Sequence, residues 1–224
     1  MTTLYLVRHG QASFGAENYD CLSKLGHQQS AWLGEHFAAR GVVFSRAVSG
    51  TLERQRQTAR TLLDAMGSSL AVVEHPGWNE YSGDALYKAW HGEGWEAARA
   101  KADVREFYRT IKAALLDWSE EKLAGDLPET WLEFGARGAA AMRAACDNLP
   151  ADACVLAASS GGAISRAVCG LLHAPAKTAI ELNLQFRNSA FCEIFVSPRS
   201  MRLVSFNCIP HLDRPDRAEA ITFS

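Results

Sequence analysis

No two cysteines of this chain stand at C-x-x-C spacing. The six occur singly at 21, 146, 154, 169, 192 and 208, and histidines never join them at zinc-ligand intervals. That removes the dithiol redox and zinc-finger classes and leaves reduced, packed thiols as the expectation. An excess of basic charge is also missing: 23 Lys and Arg against 25 Asp and Glu give a net charge of -2. Nucleic acid and anionic membrane surfaces are therefore not expected partners. No apolar run approaches the roughly 20 residues of a membrane-spanning helix. The opening MTTLYLVRHG lacks the basic start and apolar middle of a secretion signal, so a cytoplasmic location is expected.

With 48% hydrophobic residues among 224, the chain has enough apolar material for one large core. LYLVRHG reads as a buried strand, followed by a polar loop over 10–22. SKLGHQQSAWLGEHFAARG reads as a helix capped near Ser23 and stopped at Gly41. FSRAVSG is a second strand, TLERQRQTARTLLDAM a helix starting near Thr51, and AVVEHPGW a third strand broken at Pro76. Residues 82 to 135 are helical in character and rich in tryptophan, with Trp90 and Trp95 assigned to the core of that segment. A helix over 130–148, the strand DACVLAAS and the helix SGGAISRAVCGLLHA follow. SAFCEIFVS and MRLVSFNCI alternate as a hairpin around Pro198 and Arg199. Strands alternating with helices predict an α/β protein, a three-layer α/β/α sandwich with a mostly parallel mixed central sheet. The expected organisation is a single domain over 1–224 with a helical insertion, or cap, at 84–135.

Ligands of open α/β sheets bind beyond the carboxyl ends of the strands. Three such ends carry polar residues: Arg8-His9-Gly10, Ser49-Gly50 and Ser159-Ser160-Gly161-Gly162. Arg54 falls in the first turn of its helix with Thr58 on the same face, whereas Arg56 and Arg60 point to solvent. Two arginines, an imidazole and a Gly-Gly helix start describe a pocket for a dianion such as phosphate.

The segments RHG, SGTLERQRQTA, WNEYSG and VLAASSGG, in this order, resemble the histidine phosphatase superfamily, in its phosphoglycerate mutase-like branch. The resemblance covers nearly the whole chain. It implies that His9 attacks phosphorus and carries a phosphohistidine, and that Arg8 and Arg54 clamp the phosphoryl group. It makes Glu80 the proton donor and water activator, with Glu74 as the nearest rival. Gly10, Gln11, Ser160, Gly161 and His211 are the expected substrate-binding residues. Ser160 stands where the family carries a second histidine, so mutase action is less expected than phosphatase action. The other class in view is a non-catalytic phospholigand-binding or regulatory protein on the same fold. A third reading takes Ser160 as an esterase nucleophile with Glu181 or Glu193 and His211, but leaves Arg8, His9 and Arg54 without a role. No cofactor or metal is expected. The expected substrate is a small-molecule phosphomonoester or a phosphoprotein, with Tyr87, Trp90 and His91 shaping the choice, and a homodimer is an option.

Overall fold

The computed structural model describes residues 1–13, 20–123 and 125–223, without the side chain of residue 104. The predicted loop over 10–22 thus lies in part, at residues 14–19, outside the described residues. Six strands form one sheet: β1 (Thr2–Arg8), β2 (Phe44–Ser49), β3 (Val72–Glu74), β4 (Cys154–Ser159), β5 (Phe191–Val196) and β6 (Met201–Cys208). Their spatial order is β3-β2-β4-β1-β5-β6. The first four run parallel, β5 is antiparallel to β1, and β6 is antiparallel to β5. The predicted hairpin is this β5–β6 pair.

Alternation along β1 explains the three layers. Leu4 and Leu6 face one side of the sheet and pack with Ile164, Val168, Ala141 and Met142. These come from α6 (Trp131–Cys146) and α7 (Gly161–Leu171). Tyr5 and Val7 face the other side and pack with Leu33, Phe37, Leu62 and Leu63. These belong to α1 (Lys24–Ala39) and α2 (Glu53–Ala65). Both faces of the central strands are covered, as a parallel sheet requires.

The segment after β3 turns through a 3₁₀ turn at Pro76–Trp78 into α3 (Gly83–His91), α4 (Trp95–Lys101) and α5 (Val104–Ser119). A third core cluster joins Leu86, Tyr87, Ile111, Leu115, Trp118 and Phe134. It also takes in Ile180 of α8 (Ala176–Gln185). Trp95 packs against this cluster, but Trp90, 40% exposed, stands outside it, contrary to expectation. The helix α8 is absent from the sequence reading: Pro175 starts it without a side-chain cap, so no local start signal marks it. In contrast, α6 carries a full capping box, Thr130 with Glu133, which sequence shows plainly.

Among the described residues no helix is long and apolar enough to cross a membrane. All six cysteines are unpaired. Burial pushes the Cys146 thiol up to about 11 and the Cys192 thiol to about 12, so both stay protonated at neutral pH.

Candidate active site

The carboxyl ends of β1, β2 and β4 meet in one place. β1 and β4 pair in register as far as Arg8 and Ser159, so His9 and Ser160 leave neighbouring strands side by side. His9 N–H donates to the Ser159 carbonyl at 2.9 Å, and Gly50 N–H donates to the Ala158 carbonyl at 3.2 Å. Backbone alone therefore brings the three polar strand ends together.

His9 is 5% exposed. Its Nδ1 lies 2.7 Å from the Gly10 carbonyl. A carbonyl only accepts, so Nδ1 carries the proton and Nε2 presents its lone pair. Arg54 Nε donates to that Nε2 at 3.2 Å. Burial first, then the Arg54 and Arg8 guanidiniums, hold the imidazole well below its ordinary value. The ring is neutral at pH 7, the form in which a histidine is a nucleophile.

Arg54 is fixed from behind by a residue that the sequence reading did not single out. Asp20 Oδ1 accepts from Arg54 Nη1 at 2.5 Å, and its Oδ2 accepts from the Glu53 N–H at 2.8 Å. The same carboxylate pairs with the arginine and closes the first turn of α2, where a negative charge also suits the helix dipole. Asn79 Oδ1 takes the Thr51 N–H at 2.7 Å. Together they explain why α2 begins at Glu53, two residues after the expected Thr51. Thr58 ties helix to loop: its Oγ1 donates to the Arg54 carbonyl at 2.7 Å and accepts from Gly10 N–H at 3.1 Å. Arg56 instead pairs with Glu53 and Glu74 near the surface, which occupies Glu74 away from His9.

Arg8 is 8% exposed. Its Nη1 donates to the Phe186 carbonyl and to the Phe223 carbonyl at 3.0 Å. The latter bond draws in the chain's last described segment. Glu80 turns its carboxylate inward onto the start of α7: Oε2 accepts from Gly162 N–H at 2.8 Å and Oε1 from Tyr81 N–H at 3.2 Å. Burial raises its pKa, against the lowering effects of Gly162, Arg54, Tyr81 and Arg8. A Cβ on Gly162 would lie 2.4 Å from Glu80 Oε1, so the close approach needs glycine there.

The remaining expected residues fall into two groups. Gly10, Gly161 and Ser160 lie at the strand ends with His9. Gln11 braces the loop: its N–H donates to Gln29 Oε1 at 2.8 Å, and its own Oε1 accepts from Ser23 Oγ at 2.8 Å. A Cβ on Gly10 would stand 2.3 Å from the Gly26 carbonyl oxygen, so this loop and α1 touch backbone to backbone. His211 sits one residue further back. It is 2% exposed, its Nε2 is 2.8 Å from Ser189 Oγ, and Ser189 N–H donates to the His9 carbonyl at 3.2 Å. Burial, with His36 and Arg217 nearby, lowers the His211 pKa to about 3. The esterase-type triad is not assembled: Ser160 Oγ is bonded by Gln55, His211 by Ser189 and Glu181 by Lys112.

Such a site offers a neutral nucleophilic nitrogen beside two guanidiniums, with a carboxyl of raised pKa on the neighbouring turn. It has the equipment for phosphoryl transfer. The family profile of the histidine phosphatase superfamily, branch 1, matches residues 4–209, and the chain belongs to that family. Among curated relatives, a protein of Erwinia tasmaniensis named "Probable phosphoglycerate mutase" is 27% identical over 202 residues, 87% of this chain and 85% of its own. The 2,3-bisphosphoglycerate-dependent phosphoglycerate mutase of Mesorhizobium japonicum is 34% identical over 85 residues, 35% of this chain and 41% of its own. The chain thus matches only about two fifths of the length of mutases of that kind. Among solved structures, the fold is similar to Bacillus stearothermophilus YhfR, with a TM-score of 0.70, 16% identity and coverage of 94% and 99% of the two chains. It is also similar to the Entamoeba histolytica phosphoserine phosphatase in complex with 3-phosphoglyceric acid, with a TM-score of 0.65, 20% identity and coverage of 95% and 100%.

Proposed function

We propose that this chain is a phosphatase that hydrolyses a phosphomonoester through a phosphohistidine on His9. The observation that carries this reading is the fixed tautomer of His9, with Nε2 bare of hydrogen and in contact with Arg54. In the first step Nε2 attacks phosphorus and the bond to the ester oxygen breaks. Arg8 and Arg54 balance the charge on the phosphoryl oxygens, while Glu80, in the protonated form that its burial favours, gives its proton to the departing alkoxide. In the second step the Glu80 carboxylate takes a proton from water. The hydroxide attacks phosphorus, the N–P bond breaks, and orthophosphate leaves with His9 restored.

Ser160, read as the replacement of the family's second histidine, favours hydrolysis over mutase action. A mutase must hold its phosphoenzyme and return the phosphoryl group to a product, and a short neutral side chain does less of that work. The same replacement supports a second reading, a phospholigand-binding protein without turnover. The substrate class proposed is a simple phosphomonoester or a phosphoprotein. The segment 84–135 would act as the cap that selects among them.

Purified protein is to be assayed with p-nitrophenyl phosphate and then with a panel that includes phosphoserine and phosphorylated glycerates. The expected result is turnover that His9→Ala lowers by at least about a thousandfold, and acid-stopped trapping of labelled phosphate on the wild-type chain. Turnover unchanged in His9→Ala would refute the mechanism. Phosphate binding without turnover would establish the second reading.

A further inference from the structure

Gln55 is fully buried in the first turn of α2. Its Nε2 lies 2.8 Å from Ser160 Oγ and 3.1 Å from the Trp78 carbonyl oxygen. That carbonyl can only accept, and it also takes the Ser159 hydroxyl at 2.6 Å. The reversed amide would set two oxygens face to face, so the NH2 group must point this way. The opposite atom, Oε1, is buried without a hydrogen-bond partner among the described residues and faces Gly50, where a Cβ would lie 1.8 Å from it. A buried acceptor left unsatisfied is uncommon and needs a reason. The reason offered by the geometry is the NH2 group on the other side.

Because Gln55 donates, Ser160 Oγ accepts, and the single hydroxyl proton is left for another acceptor. Ser160 is 1% exposed and leaves β4 beside His9. We propose that Gln55 is a positioning residue that fixes Ser160 as a one-way hydrogen-bond donor to an oxygen of the phosphoryl group transferred to His9. The proposal rests on the phosphatase reading above. Neither Gln55 nor Ser160 titrates in the working range of an enzyme, so the site keeps this donor at any pH where an imidazole would change its charge. The two side chains then work as one unit, with Gln55 setting direction and Ser160 making the contact.

The test uses Gln55→Met, Ser160→Ala, the double variant and Gln55→Glu, assayed with p-nitrophenyl phosphate and with orthophosphate as a competitive ligand. Each of the first two is expected to lower kcat/KM by about 10²–10³-fold, the cost of one preorganised donor. The double variant should fall no further than the worse single, since the pair is coupled. In Gln55→Glu an ionised carboxylate takes the Ser160 proton and reverses the bond. Its deficit relative to the wild type should therefore be largest at high pH and shrink as pH falls. A side chain that only fills space would give additive losses and a ratio independent of pH. Wild-type kcat/KM in Gln55→Met, or losses that multiply in the double variant, would overturn the proposal. If Gln55→Met does not fold, the Gln55→Glu profile decides alone, a flat ratio counting against it. Turnover that survives His9→Ala would overturn the underlying reading, a result separate from any of these.

Discussion

Asp20 holds Arg54 at 2.5 Å, and Arg54 in turn holds His9 through Nε at 3.2 Å. The Asp20 carboxylate also takes the first free N–H of α2, so one side chain sets both the helix start and the guanidinium. Arg54 is 12% exposed at its side chain, and Asp20 is 35% exposed. The pair is close enough to the interior for geometry, rather than net attraction, to be its main contribution.

Asp20→Asn is accordingly expected to lower kcat more than it raises KM. An amide keeps the shape but loses the charge-assisted bond, and a misplaced guanidinium costs about 10²-fold. Steady-state kinetics on p-nitrophenyl phosphate would check this. Equal kcat in the variant and the wild type would show that Arg54 holds its place unaided.

The raised pKa of Glu80 predicts a basic limb in the pH profile. In its proposed role as general acid Glu80 must be protonated, so the rate of the proposed first step should fall as pH rises through its folded value. Alkyl phosphates, with poor leaving groups, should show the fall strongly. p-Nitrophenyl phosphate, whose leaving group needs little help, should show it weakly. Glu80→Gln should flatten the alkyl phosphate profile at a much reduced rate. A profile identical for the two substrate types would contradict the assignment.

Acid should destabilise the fold well before carboxylates titrate. His9, His36 and His211 all have lowered values, each mainly through burial, and that of His211 is about 3. Below the ordinary value near 6.5 the unfolded chain binds these protons and the folded chain does not until pH reaches each lowered value. Stability is therefore present above pH 6.5 and lost as pH falls through those values, about 3 for His211. The slope is about 1.4 kcal/mol per pH unit for each of the two buried histidines, His9 and His211. Urea denaturation at pH 7.5, 6 and 5 would measure it. His211→Gln, if it folds, should reduce the slope by about one proton.

Phe37 supplies a control for the site. It is fully buried and meets Tyr5, Phe44 and Phe191 at ring-centroid distances of 5.0, 5.4 and 5.2 Å. Phe37→Ala should cost about 3–5 kcal/mol of stability. Below its lowered Tm, kcat/KM should stay within about twofold, because the ring packs in the α1–α2 layer. A large kinetic effect would mean that the layer is coupled to the site.

The parts of this fold legible in the sequence were those with strong local patterns. LYLV alternates across two covered faces, Thr130 and Glu133 mark a helix start, and Ser23 caps α1 as expected. The RHG and SGTLERQRQTA segments carried His9, Arg8 and Arg54, and the structure brings these strand ends together. What stayed hidden depends on partners distant in sequence. α8 is held by packing against α5 and α7 rather than by a cap. Asp20 and Gln55 acquire meaning only through bonds to Arg54 and Ser160, at sequence separations of 34 and 105. The true start of α2 was likewise set from outside, by Asp20 and Asn79. Trp90 reads as a core residue from composition, yet it lies beyond the cluster that its helix neighbours Leu86 and Tyr87 fill.

The backbone contact between Gly10 and Gly26 bears on how this protein tolerates redesign. A Cβ on Gly26 would lie 2.1 Å from the Gln11 carbonyl oxygen, and one on Gly10 would lie 2.3 Å from that of Gly26. The loop that follows His9 is thus seated on α1 with no side chain between them to trim or enlarge. Diversifying the pocket from this side therefore has two immovable points. Any side chain at these two positions would have to push the loop that carries His9 and α1 apart.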